Sequence, residues 1–239
     1  MKLYSEHPGA SITMSADPAL RALLRQVVQE AGIDHVLESG THHGLGSTTM
    51  VAEAFGARPP ARFVTLEANR LSWLEARRNL ARFPFVECIW GLSVPLSEAL
   101  AFLAADECLQ DHARWPEIFI DQTADPLAFY TAEVRGQLGG ASAAAPGEIH
   151  AGEDLLRREL TRLPVGARPL VILDSAGGIG FLEFRIVQAG LAGIEHWLLL
   201  DDIHHLKHFR SYASVKAEPR YRLAGVDEAH GWVLAHYRP

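Results

Sequence analysis

Five short apolar runs, each ending in a polar or small residue and separated by longer amphipathic segments, constrain the fold of this chain more than any other feature. They are HVLES (35–39), RFVTLE (62–67), FVECIWG (85–91), PLVILDS (169–175) and HWLLLDD (196–202). Runs this short, rich in Val, Ile and Leu, suit parallel strands buried on both faces by helices. The spacing predicts helices at 18–31, 47–56, 70–82, about 96–109, 153–163 and 181–192. The first follows SADPAL, where Ser15 or Asp17 can cap and Pro18 suits the opening turn. Near the carboxyl end, RYRLAGV (220–226) and GWVLAHY (231–237) flank DEAH and read as an antiparallel pair. The expected class is α/β, with five crossover strands and a terminal hairpin.

Residues 92–168 exceed what one crossover helix needs, which points to an insertion at about 110–152 within a single domain spanning 1–239. Its GQLGGASAAAPGE stretch (136–148) reads as a mobile loop, and WPEIFIDQTADPLAFYTAEVRG, with Asp121, Asp125, Phe129 and Tyr130, as a lid over an acceptor, or equally as an oligomer contact. With 22 basic against 29 acidic residues, a net charge of -7 argues against a general nucleic-acid surface. Two cysteines, Cys88 and Cys108, allow no disulfide framework or Cys-rich zinc site. The absence of a signal-like leader and of a long charge-free apolar run leads to an expected cytoplasmic location without a membrane partner. A homo-oligomer is compatible with the sequence.

The first strand runs into VLESGTHHGLGSTTMVAEAF (36–55). In open α/β sheets ligands sit beyond the carboxyl ends of the strands, so glycines 40, 44 and 46 mark a ligand turn where backbone can approach closely. It lacks both the Lys of a P-loop and the G-x-G-x-x-G spacing, and Glu38 at its mouth disfavours pyrophosphate but suits a cationic ligand. His42 and His43 read as loop residues. The second strand ends in Glu67, placed to accept hydrogen bonds from ribose hydroxyls, which points to a nucleoside.

VLESGTHHGLGSTT, FVTLEAN and IWGLS together resemble the class I S-adenosylmethionine-dependent methyltransferases, nearest the branch with catechol O-methyltransferase, over roughly residues 33–100 and 169–237. The resemblance implies a Rossmann-like seven-stranded sheet of order 3-2-1-4-5-7-6 with strand 7 antiparallel, and S-adenosyl-L-methionine as cofactor. Carried over, Glu38 and the Gly40–Thr41 backbone face the methionine moiety, Glu67 holds the ribose, and Ser93 lies by the adenine; Gly44, Ser47, Thr48, Ala68 and Asp174 complete the cofactor set. Gly46 is one residue more than the catechol-type loop has before its Ser, which leaves the partner of Ser47 or Thr48 open.

Methyl transfer needs an in-line nucleophile and, for a hydroxyl acceptor, an outlet for its proton. The informative strand ends are VILDSAGGIG, with Asp174, and WLLLDDIHHLKHFRS, with Asp201, Asp202, His204, His205, Lys207 and His208. Asp174 and Asp202 are the candidate catalytic carboxylates, with His204 or His205 as the base. Metal-dependent members of the resembled family set one carboxylate after strand four and a pair after strand five; Asp174, Asp201 and Asp202 match that layout, and an all-oxygen set favours Mg2+. Helix capping, or metal-free ligand contact, is the competing reading of the aspartates. Trp73 and Trp90 suit core packing more than adenine flanking, and Glu183 reads as a surface partner of Arg185 or Lys207. The expected function is small-molecule O-methylation; the alternatives are a nicotinamide-dependent oxidoreductase and a non-catalytic nucleoside-binding module.

Overall fold

The computed structural model describes residues 1–7, 14–121, 124–137 and 148–239. Seven strands form the main sheet: β1 (His35–Ser39), β2 (Arg62–Glu67), β3 (Val86–Trp90), β4 (Pro169–Leu173), β5 (His196–Leu200), β6 (Tyr221–Asp227) and β7 (Trp232–Tyr237). Their order is 3-2-1-4-5-7-6; β7 runs antiparallel to both of its neighbours and the other pairings are parallel, as the resemblance implies. Helices α1 (Pro18–Glu30), α2 (Ser47–Phe55), α3 (Arg70–Asn79), α4 (Leu96–Ala105), α5 (Glu107–Gln110), α6 (Pro126–Gly136), α7 (Leu155–Thr161), α8 (Gly180–Gly190) and α9 (Phe209–Ala217) surround it. None is long and apolar enough to cross a membrane, among the described residues.

Successive strand residues face opposite sides of the sheet. Val36, Phe63, Leu170, Ile172 and Leu199 pack with α1 and α2, whereas Leu37, Val64, Val171, Leu173 and Leu198 pack with α4, α6, α7 and α8. This double burial is why the strands are uninterrupted apolar runs. Asp17 caps α1 by accepting from the Ala19 amide, with Pro18 in the first turn. The same Asp-Pro start recurs at Asp125–Pro126 and opens α6, a helix absent from the sequence expectation. Also unexpected is α9. Most of the stretch read as a mobile loop, 138–147, lies outside the described residues.

Two features shape the carboxyl edge of the sheet. Gly40 leaves β1 at φ +101°, and a Cβ there would stand 2.3 Å from the Asp174 carbonyl oxygen, so the first turn lies directly against the end of β4. Gly40→Ala should therefore cost about 2–3 kcal/mol in urea unfolding, from a strained φ and an overpacked contact; a change within about 0.5 kcal/mol, the usual size of a neutral surface substitution, would show that the turn can shift. The second feature is a small parallel pairing of Lys2–Leu3 with Phe119–Ile120. Phe119 in turn bridges to the segment after β5: its amide donates to the His204 carbonyl (3.1 Å), and its carbonyl accepts from the Leu206 amide (2.9 Å). These short pairings carry the amino-terminal segment across to the carboxyl ends of β4 and β5.

Candidate active site

A cavity of about 890 Å3 opens beyond the carboxyl ends of β1, β2, β4 and β5, the position where α/β sheets bind ligands and a size suited to one. Of the residues expected to bind cofactor or metal, Gly40, Thr41, Ser47, Glu67, Asp174, Asp201 and Asp202 line it. Glu67 is held from behind: its carboxylate accepts from the His42 amide (2.7 Å) and the Asn69 amide (2.7 Å). Burial pushes its pKa up while these amides pull it down, the net shift being upward.

Glu38 does not face the cavity. It is wholly buried, and one carboxylate oxygen accepts from the Thr48 and Thr65 hydroxyls (both 2.6 Å), tying α2 to β2. The other finds no hydrogen-bond partner among the described residues. Burial pushes its pKa up to about 7 from an ordinary 4.5, against the pull of the Ser47, Thr48 and Thr65 hydroxyls. The folded state thus binds the proton more tightly than the unfolded chain, and this carboxyl makes stability fall as pH rises from about 4.5 to about 7. Glu38→Gln removes that loss: at pH 8 it should be more stable than the parent by up to about 3 kcal/mol, the gap closing towards pH 4. Urea unfolding at both pH values checks this, and equal stabilities throughout would contradict it.

Other expected cofactor residues also stand elsewhere. Thr48 is spent on Glu38. Gly44 packs against Leu80 and Ala76 of the α3 region, and the Ala68 carbonyl accepts from the Trp90 indole (3.2 Å). Ser93 faces Glu183, whose carboxylate is completely buried and also gathers the Ser39 hydroxyl (2.7 Å) and the Ser175 hydroxyl; the expected surface pairing of Glu183 is not formed. The Gly40 and Thr41 amides are likewise committed, both donating to the Leu66 carbonyl (3.1 and 3.2 Å). Trp73 and Trp90 stack at 5.4 Å within the buried layer, as core packing predicts.

Asp174, Asp201 and Asp202 converge, each offering an oxygen within 4.8 Å of the others'. The cation among them belongs to the chain: Lys207 Nζ lies 3.1 Å from Asp174 Oδ1 and 2.6 Å from Asp202 Oδ2, with only 6% of the residue exposed. Gly180 lets the segment carrying Lys207 lie close to α8, since a Cβ there would meet the His208 ring at 2.6 Å and the Lys207 carbonyl at 2.8 Å. Burial pulls Lys207 down, but the three aspartates outweigh it and hold the ammonium well above its ordinary range. Burial raises Asp202 too, yet Lys207 and the Tyr4 hydroxyl, which donates to Asp202, leave it below the ordinary range. Asp174 and Asp201 shift upward, chiefly through burial and also through neighbouring carboxylate charge.

The histidines are not at this cluster's mouth. His204 points to the terminal hairpin, with Nε2 2.8 Å from the Glu228 carbonyl and 3.2 Å from its carboxylate. His205 is buried, its Nε2 3.3 Å from Asp121 and 3.2 Å from the Tyr130 hydroxyl, a set that fastens the insertion to β5. Neither borders the cavity, so the expected histidine base is not in reach. His204 and His208 share no helical face, because α9 begins only at Phe209. Cavity residues with no assigned role in the sequence reading are Tyr4, Asn69 and Ser72, together with Glu133 and Gln137 from the insertion.

No family model and no curated protein matches the chain. Solved structures do. A methyltransferase from Geobacter sulfurreducens is similar at a TM-score of 0.50, with 14% identity over 93% of this chain and 80% of that one. Cofactor-bound Rv0187 from MTB is similar at a TM-score of 0.50, with 15% identity over 98% of this chain and 86% of that one. Together with the strand order, these likenesses show a Rossmann-like methyltransferase fold.

Proposed function

We propose that the chain is an S-adenosylmethionine-dependent methyltransferase acting on a hydroxyl of a small molecule, with residues 1–239 as one catalytic domain and an insertion at about 110–152. The observation that carries this reading is the charge of the cavity. Glu67, Glu133, Asp174, Asp201 and Asp202 line it; Lys207, buried behind the aspartates, offsets part of their charge, and the lining stays acidic on balance. Such a surface attracts a sulfonium and an ammonium and repels a pyrophosphate. The Gly40 and Thr41 amides, committed to the Leu66 carbonyl, are not free to bind a dinucleotide phosphate. Both points weigh against the nicotinamide alternative. The fold shared with a protein described as a methyltransferase adds support.

When bound, S-adenosylmethionine supplies an electrophilic methyl group. Glu67 accepts the ribose hydroxyls, preoriented by the two amides behind it. Asp174 and Asp201, with raised proton affinity, suit uptake of the acceptor's hydroxyl proton. Tyr4, Glu133 and Gln137 border the space left for the acceptor, which the acidic lining restricts to neutral or cationic molecules. The same acidic lining disfavours a polymer backbone of phosphates.

Titration calorimetry with S-adenosylmethionine, S-adenosylhomocysteine and NAD tests the reading. One adenosyl-sulfur ligand per chain and no heat with NAD is the expected result; saturable NAD binding with no response to either sulfur ligand would overturn it.

A further inference from the structure

The resembled family's metal-dependent members place a divalent ion among carboxylates like Asp174, Asp201 and Asp202. The fit here fails on one observation: the space between Asp174 Oδ1 and Asp202 Oδ2 is held by Lys207 Nζ, at 3.1 and 2.6 Å. A Mg2+ ion takes its oxygens at about 2.0–2.1 Å, so an ion bridging these two carboxylates would lie almost on top of the ammonium. Lys207 is 6% exposed, so the ammonium is enclosed where it meets the two carboxylates.

We infer that the Lys207 ammonium replaces the divalent cation in this carboxylate cluster, so that part of its negative charge is balanced from within the chain and the site works without a metal. The ion-binding part stands on the geometry alone; the part concerning turnover rests on the methyltransferase reading. Tyr4 strengthens the assignment. Its hydroxyl donates to Asp202 Oδ1 while Lys207 takes Oδ2, so both oxygens of that carboxylate are already engaged. The Asp202 amide likewise donates to Asp201 Oδ1 (3.0 Å). An ion entering between Asp174 and Asp202 would have to displace the ammonium and break the contacts it makes with both.

Manganese(II) electron paramagnetic resonance reads this directly, because bound Mn2+ loses its free-ion signal. Full-length parent protein should leave the signal unchanged up to roughly millimolar ion, the weak end of oxygen-ligand sites. Lys207→Met, which removes the charge and keeps the bulk, should take up one Mn2+ and gain thermal stability from it, and Asp174→Asn in the same background should abolish both effects. If Lys207→Met folds only when Mn2+ is present, that dependence reads the same gain. Stoichiometric uptake by the parent protein, or a folded Lys207→Met that ignores the ion, would overturn the inference. Titrating S-adenosylhomocysteine into the same samples keeps the two ideas apart: no heat there would sink the methyltransferase reading and leave the ion result standing.

Discussion

Lys207→Met should lose about 3–5 kcal/mol of stability at pH 8, because removing one partner of a buried ion pair leaves the others uncompensated. Asp174 and Asp202 pair with this ammonium and Asp201 lies beside them; Asp174 and Asp201 already have raised proton affinity with the cation in place. Without it all three would be pushed up. Groups whose folded pKa lies above the unfolded value favour the folded state at low pH and lose that contribution as pH rises. The deficit relative to the parent should therefore shrink on going from pH 8 to pH 5. Urea unfolding at both pH values measures it. A loss below about 1 kcal/mol, the size of an exposed ion pair, would mean that the cluster is effectively solvated.

The second large effect concerns ligand rather than fold. Glu67→Ala should weaken S-adenosylhomocysteine binding by about 10- to 100-fold, since hydrogen bonds to a charged group are worth roughly 1.5–3 kcal/mol. Among the described residues Glu67 is the cavity carboxylate fixed by two backbone amides, which makes it a preoriented acceptor. The His42 and Asn69 amides lose their acceptor in the variant, so Glu67→Gln, which keeps an oxygen for one of them, serves as the control for local disruption. It should bind more tightly than Glu67→Ala and less tightly than the parent. Calorimetry on the three proteins decides; equal affinities would remove Glu67 from the cofactor site.

The parts of this architecture that sequence alone discloses are those set by local pattern. Short apolar runs and the terminal hairpin pattern place all seven strands to within a residue or two; the central ones, buried on both faces, show no polar alternation. The three aspartates come together because Asp174 follows β4 and Asp201 and Asp202 follow the neighbouring β5, and strand ends in a parallel sheet share one edge. What sequence does not disclose depends on register and on distant chain. Glu38 turns inward because Thr65 sits opposite it in the β1–β2 pairing, a neighbour that only the register reveals. Tyr4 reaches Asp202 through two-residue strands far too short to leave a pattern. Lys207 follows Asp202 closely, yet the segment that carries it packs against Gly180 at the start of α8, a neighbour distant in sequence. For α6 the signal was present, the Asp-Pro pair that also opens α1, but it lies within a segment read as a lid.

The most direct test of the whole account is the structure of the complex with S-adenosylhomocysteine. Both ribose hydroxyls should lie within hydrogen-bonding distance of Glu67, with the sulfur directed towards Asp174 and Asp201. Density for the adenosyl group elsewhere, for instance in the more apolar groove of about 780 Å3 bordered by Phe102, Leu160 and Leu182, with the strand-end cavity empty, would contradict it.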